Sequence, residues 1–181
     1  MRILIVGIAC VGKSTVGKLL AERLGYKFFD YDLEIENYFG QPISFIQKDS
    51  WLGDSYRKKV RVVLEKILRD NHDNFVVAMT PSSLMREHFS IIKKHEGIIT
   101  IALKDKSKYI FERLRFYDEY SKPIDIEINE RQKKLYLKEI SEDNEYFSRT
   151  YKKATMQYHI NGKDALLVTN DLEKLLFEED S

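Results

Sequence analysis

Gly7, Gly12, Lys13 and Ser14 stand at the spacing G-x-x-x-x-G-K-[ST], within the run Gly7-Ile8-Ala9-Cys10-Val11-Gly12-Lys13-Ser14. The pattern has a mechanical reading. Glycines let successive backbone N–H groups curl around phosphate oxygens, and the N-terminus of a following helix adds partial positive charge. Lys13 then reaches the β- and γ-phosphates, and the Ser14 hydroxyl ligates Mg²⁺. Val11 and Thr15 belong to the same nucleotide-contacting run. Four fixed positions match by accident in roughly one chain of this size in a hundred, and the flanking residues make accident rarer. The chemistry expected is binding of a nucleoside triphosphate with Mg²⁺.

Two carboxylates, Asp30 and Asp32, flank Tyr31 at the end of an apolar run. In an extended segment they point to one side, and both could face the phosphates. Asp32 is then placed to accept a proton from an attacking hydroxyl. On spacing alone a second reading stands beside it, in which Asp32 caps a helix beginning at Leu33. Arg57 lies in the basic run Tyr56-Arg57-Lys58-Lys59-Val60-Arg61, the usual look of a solvated helix face. Arg113 and Arg115 are candidates to meet the nucleotide, with Arg113 preferred. Cys10 reads as a small loop residue, and the four histidines show no metal-ligand spacing.

These groups need elements to hold them. Ile3-Leu4-Ile5-Val6 reads as a buried parallel strand ahead of the loop. Val16, Leu19, Leu20, Ala21 and Leu24 recur at helical spacing after it, with Gly25 as the stop. A second strand, Tyr26 to Phe29, ends at Asp30. Short helices follow near Leu33–Tyr38 and Ile43–Lys48, then a longer one over Tyr56–Arg69. Phe75–Ala78 and Ile98–Leu103 are strands three and four, separated by a helix over Leu84–Lys94. A helix over Ser107–Phe116 leads to a polar, aromatic stretch, Tyr117 to Asn129. Phe116, Tyr117 and Tyr120 either close over the site or cover the core, and the core is preferred. Helices over Glu130–Ile140 and Glu145–Ala154, a weak strand at Gln157–Ile160 and a helix over Asp171–Phe177 complete the order. Strands alternating with helices predict an α/β fold, three layers α/β/α around a five-stranded parallel sheet.

The chain has 181 residues, 43% hydrophobic and 33% charged, which fits one folded domain. A formal net charge of +1 gives no global field for nucleic acid or an anionic membrane. One cysteine excludes an internal disulfide framework and suits a reducing compartment. No stretch approaches membrane-spanning length. The expectation is a cytoplasmic monomer or small homo-oligomer, with residues 178–180 as a frayed acidic tail.

The run from Gly12 to Gln47 carries more than a phosphate loop. It closely resembles the N-terminal third of shikimate kinases, where the loop leads to F-F-D-x-D, here Phe28-Phe29-Asp30-Tyr31-Asp32, and then to E-I-E, here Glu34-Ile35-Glu36. Tyr56-Arg57 resembles that family's F-R pair, and Lys122-Pro123-Ile124 its R-P-L lid motif. The resemblance implies a P-loop fold of the nucleoside-monophosphate-kinase type, with a lid over about residues 117–129. It implies ATP-dependent phosphorylation of a hydroxyl on a small, carboxylated acceptor, shikimate. Asp30 then holds a Mg²⁺-bound water, Asp32 takes the acceptor's proton, and Arg57 clamps its carboxylate.

The chain departs from the pattern on the acceptor side. The family's triple glycine reads Met79-Thr80-Pro81-Ser82-Ser83, which leaves Ser82 as the acceptor-facing candidate. Lys122 stands for the lid arginine and offers no bidentate fork. The second acceptor arginine is expected at Phe147, and Arg149 lies nearest. Val60 replaces a glutamate. These changes leave open a same-fold kinase for another small acceptor, gluconate-like or a nucleoside, and a non-catalytic nucleotide-binding regulator.

Overall fold

Ile3, Leu4, Ile5 and Val6 are fully buried, as a strand covered on both faces requires. In the computed structural model, which describes residues 1–48 and 53–177, they lie in β1 (Arg2–Val6), the middle strand of a five-stranded sheet. Its other strands are β2 (Lys27–Asp30), β3 (Phe75–Ala78), β4 (Ile98–Lys104) and β7 (Met156–His159), all parallel, in the order β2-β3-β1-β4-β7. Helices cover both sides of the sheet.

The register aligns the strand ends that matter. Asp30 sits opposite Ala78, and Ala78 opposite Ile5. The Gly7 loop, Asp30 and Met79 therefore emerge at one carboxyl edge. The strand order also reverses there: β1 leads through a helix to β2 on one side of it, whereas β3 leads across to β4 on its other side. That is where open α/β sheets form their ligand crevice.

α1 (Lys13–Leu24) runs back from this edge and stops at Gly25, whose φ of 67° is left-handed. At Gly17, a Cβ would stand 3.0 Å from the Phe28 ring, so glycine lets α1 lie close against β2. α2 (Tyr31–Phe39) begins directly at the end of β2, α3 (Ile43–Lys48) follows, and α4 (Gly53–Asp70) buries Val60, Val63, Leu64, Ile67 and Leu68. These five are the apolar face expected from their spacing. Among the described residues no helix is long and apolar enough to cross a bilayer.

Several expectations are corrected. The helix expected to reach Phe116 ends four residues earlier: α6 covers Ser107–Glu112. Arg113 leaves helical geometry with φ −101° and ψ 4°, and Phe116 packs instead against Tyr136, ring centroids 5.5 Å apart. Residues 116–124 form an antiparallel hairpin of β5 (Phe116–Tyr117) and β6 (Pro123–Ile124). Asp118 organises its turn by accepting from the N–H groups of Tyr120 and Lys122, each at 2.9 Å.

The two helices expected beyond residue 130 are one, α7 (Glu130–Tyr151), started by an Asn129–Gln132 capping box. Ser141 to Asn144 has weak helix formers but no Gly or Pro, and Ile140 and Tyr151 anchor either side of it in the core. The helix between β3 and β4 is shorter than expected, α5 (Arg86–Ile92). The last helix is longer, α8 (Ala165–Phe177), because exposed Leu166 and Leu167 blur its apolar periodicity. The tail at 178–180 lies outside the described residues.

Candidate active site

The phosphate loop bends through three left-handed or near-forbidden conformations. Gly7 has φ 153° and packs so tightly that a Cβ would meet the Leu103 carbonyl oxygen at 2.7 Å, while Gly12 has φ 111°. Cys10 adopts φ 57°, a region unusual for a residue with a side chain. No side chain caps the N-terminus of α1, so its first-turn N–H groups are left for an anion. Lys13 donates to the Ile8 carbonyl at 2.9 Å, within its own loop. Burial lowers its pKa, and Asp32, Cys10 and Asp30 nearby act in the opposite sense.

The acids come from the junction of β2 and α2. Helix α2 starts at Tyr31, so Asp30 and not Asp32 is the N-cap, and its Oδ1 accepts from Asp32 N–H at 3.2 Å. This corrects both the capping reading of Asp32 and the picture of one extended segment. The two carboxylates nevertheless line one cleft, because the strand's end and the helix's first turn both open onto it. Asp30 Oδ2 accepts from the Ser14 hydroxyl at 2.5 Å. Asp32 reaches solvent at the cleft surface, yet the protein around its other sides strips water enough to push its pKa up to about 6. The negative charge of Asp30 adds to the rise, and Lys13 opposes it.

The cleft has a volume of about 460 Å³ and gathers Gly12, Lys13, Ser14, Thr15, Asp30, Asp32 and Arg113. Val11 is buried beneath the loop, and its carbonyl accepts from Arg113 Nη1 at 3.4 Å. Met79, Pro81, Arg115 and Tyr117 also line the cleft. In the sequence Arg115 is the alternative to Arg113, Met79 opens the run at the family's triple-glycine position, and Tyr117 opens the polar, aromatic stretch. Among the described residues no cluster of three His, Cys, Asp or Glu could hold a metal.

The hairpin tip meets α2 and α3. Glu119 accepts from the Ser44 hydroxyl through its carbonyl, at 2.5 Å, and pairs with Lys48 at 3.3 Å through its carboxylate. Ser121 donates to Glu36, which also accepts from Ile43 N–H at 2.8 Å. Tyr120 lies 5.7 Å from the Phe45 ring. The lid aromatics therefore do not simply cover the core. Tyr117 and Tyr120 are 59% and 58% exposed, and Tyr120 bridges to α3.

The remaining acceptor-side candidates, and the nucleotide candidate Lys122, lie elsewhere. Arg57 pairs with the buried carboxylate of Glu87 at 3.4 Å and lines a separate basic cavity with Lys58, Arg61, Arg86 and Lys153. Ser82 sits in the turn after β3, its carbonyl bonded to Met85 N–H at 2.9 Å, beside Pro81 but outside the cleft lining. Lys122 is exposed at the hairpin turn, and Arg149 is exposed on α7. The structure unites Gly12, Lys13, Ser14, Thr15, Asp30, Asp32 and Arg113, and leaves the nucleotide candidate Lys122 and the acceptor candidates Arg57, Ser82 and Arg149 outside the cleft lining.

Comparison with known proteins gives a consistent result. The shikimate kinase family model matches residues 9–173. A shikimate kinase of Persephonella marina is 32% identical over 172 residues, spanning 94% of this chain and 96% of that protein. The solved shikimate kinase of Bacteroides thetaiotaomicron has a TM-score of 0.78 at 20% identity, covering 97% of this chain and 98% of its own. That of Acinetobacter baumannii, in complex with shikimate, has a TM-score of 0.76 at 23% identity, covering 98% and 93%. At these identities the two structures speak for the fold.

Proposed function

The chain belongs to the shikimate kinase family, and we propose that it transfers the γ-phosphoryl group of ATP to a hydroxyl of shikimate. Members of the family are phosphotransferases that use ATP with Mg²⁺. The observation that carries the reading is the convergence of Lys13, Ser14, Asp30 and Asp32 on one cleft at the mouth of the phosphate loop.

In this reading the whole chain is one kinase domain, and residues 117–129 are its lid. Lys13 exchanges its hold on the Ile8 carbonyl for phosphate oxygens and stabilises charge that develops during transfer. Ser14 and Asp30 present two hard oxygens 2.5 Å apart, a donor set suited to Mg²⁺, which keeps several waters and takes few protein ligands. The ion, when bound, neutralises phosphate charge. Asp32 accepts the proton of the attacking hydroxyl, and a pKa of about 6 leaves it ionised at neutral pH while still close enough to receive that proton. The lid excludes water, the competing nucleophile. Arg57, Ser82 and Arg149 then meet the acceptor, and Lys122 the phosphates, by moving from their present places outside the cleft lining.

A specific observation favours a second acceptor within the same chemistry. Pro81 lines the cleft where the family pattern has glycine, and proline has no N–H to donate. A gluconate-like acid or a nucleoside then becomes the acceptor.

Shikimate-dependent release of ADP, measured in a coupled assay, tests the proposal. Shikimate should also raise the melting temperature beyond ADP and Mg²⁺ alone, by about 5–11 °C at a hundred times its dissociation constant. Silence in both measurements at millimolar shikimate, with turnover of another acid or nucleoside, would transfer the assignment to that acceptor.

A further inference from the structure

Arg113 is held at the cleft by a carboxylate that does not line it. Asp105 follows β4, and its side chain is fully buried. Oδ1 accepts from the backbone N–H groups of Lys106 at 2.8 Å and Gly162 at 3.2 Å. Oδ2 accepts from Arg113 Nη2 at 2.8 Å. Arg113 in turn donates through Nη1 to the Val11 carbonyl at 3.4 Å, and Asn144 on α7 donates to the Asp105 carbonyl at 3.4 Å. One residue thus joins the phosphate loop, the end of α6, the turn between β7 and α8, and α7.

The division of labour between the two oxygens is informative. Oδ1 serves the backbone, and an amide oxygen could do the same. Oδ2 serves only the guanidinium, where a negative acceptor shortens and strengthens the bond. A guanidinium carries five N–H donors in a fixed fork, so bonds to Asp105 and Val11 leave three for other partners. Arg113 is about one-third exposed and lines the cleft beside Gly12 and Lys13. The bond at Oδ2 therefore fixes the direction of a cation that faces the phosphate loop.

We propose that Asp105 is a positioning residue for nucleotide binding. It orders the Arg113 guanidinium against the loop before ligand arrives, so that ordering a long, rotamer-rich side chain is no longer charged to binding. Its sequence setting, Lys104-Asp105-Lys106, looks like a solvated surface charge. The buried ion pair is what identifies it. The proposal rests on the nucleotide-binding part of the proposed function and on no assumption about the acceptor.

Asp105→Asn separates positioning from architecture. The amide oxygen retains both backbone bonds, while the amide nitrogen turns a donor toward the guanidinium. Calorimetric titration of ADP should show at least a tenfold loss of affinity in D105N, with a melting temperature close to that of the unsubstituted protein. Arg113→Ala should lose affinity to a similar degree, and D105N combined with R113A should be no worse than R113A alone. Arg113→Lys, whose ammonium lacks the fixed planar fork of the guanidinium, should lose at least fivefold and serves if D105N folds poorly. Additive losses in the double variant, or undiminished ADP affinity in D105N or R113K, would overturn the proposal. Failure of the unsubstituted protein to bind ADP would instead remove the phosphate-loop reading beneath it.

Discussion

The Ser14 hydroxyl donates to Asp30 Oδ2 at 2.5 Å, across sixteen positions of the chain. Asp30 Oδ1 meanwhile caps α2. The two oxygens of one carboxylate thus face a nucleotide loop and a helix start, and substitution can separate the two duties. Asn is as good an N-cap as Asp. Asp30→Asn should leave stability nearly unchanged while abolishing most of the gain in ADP affinity on adding Mg²⁺. Asp30→Ala should lose that gain too, and in addition about 0.5–2 kcal/mol of stability from the missing cap. Titrating ADP with and without Mg²⁺, alongside denaturant melts, checks both. Equal Mg²⁺ dependence in D30N and the unsubstituted protein would remove Asp30 from the metal's surroundings.

Asp30 also bears on the pH dependence of its neighbour. Asp32, at about 6, must be ionised to accept a proton, so kcat/KM should rise with pH through about 6 and level above it. Burial is the first cause of the raised value and the charge of Asp30 the second. Removing that charge in D30N should move the midpoint to lower pH, measurable in the residual activity. An unmoved midpoint would assign the titration to another group.

Most of the sheet was legible because its inner strands are short apolar runs rich in β-branched residues and bounded by polar turns, Phe75–Ala78 most clearly, whereas β7, Met156-Gln157-Tyr158-His159, gave only a weak signal. The phosphate loop was legible because its chemistry demands fixed residues at fixed spacing. The lid hairpin was not. Two strands of two residues carry no periodicity, and their stability comes from Asp118 in the turn and from Phe116 against Tyr136, a partner twenty residues away. Asp105 was missed for the same reason, since its partners at Arg113 and Gly162 are brought together only by the fold. The acceptor side was read through family positions, and Arg57 shows the limit of that approach: its helix lies where expected, but a buried Glu87 draws the guanidinium toward another cavity.

The lid tip is tied to α2 and α3 by Ser44, Lys48 and Glu36, so its opening should respond to those ties. Glu119→Ala with Ser121→Ala removes the charged and hydroxyl contacts made by the lid's own side chains. Limited proteolysis within residues 117–129 should quicken several-fold in this double variant. An ATP analogue with Mg²⁺ should slow cleavage in both proteins. Equal cleavage with and without nucleotide would show that this segment does not close on the ligand.

Arg57 lies outside the cleft lining, which separates its effect from that of Lys13. Arg57→Ala should raise the acceptor KM by at least tenfold with ADP affinity unchanged, since a hydrogen bond to a charged group contributes about 1.5–3 kcal/mol. Lys13→Ala should abolish turnover and weaken ATP-driven stabilisation while the fold persists. If R57A instead left the acceptor KM untouched, the acceptor's acid group would be bound elsewhere.

His88 gives the fold a pH dependence of opposite sense to that of Asp32. Its side chain is fully buried, with Nε2 at 2.9 Å from the Tyr31 hydroxyl, which itself donates to the Val60 carbonyl at 2.8 Å. The Tyr31 proton is thus committed, and Nε2–H must be the donor to its oxygen, leaving Nδ1 as a buried acceptor with no partner among the described residues. Protonating Nδ1 would bury a charge with no acceptor for its new N–H. Burial accordingly holds the pKa down to about 4, against 6.5 for a free histidine. A depressed histidine stabilises the fold fully above the unfolded value and loses that contribution as pH falls toward about 4. The difference corresponds to about 3 kcal/mol. Asp32 runs the other way, its contribution present below the usual carboxylate range and lost as pH rises through about 6. His88→Gln keeps an N–H for Tyr31 and cannot titrate. The variant should melt below the unsubstituted protein at pH 7, with the gap closing by pH 4.5 as the native histidine loses its advantage. Parallel melting curves across that range would show that His88 does not govern acid stability.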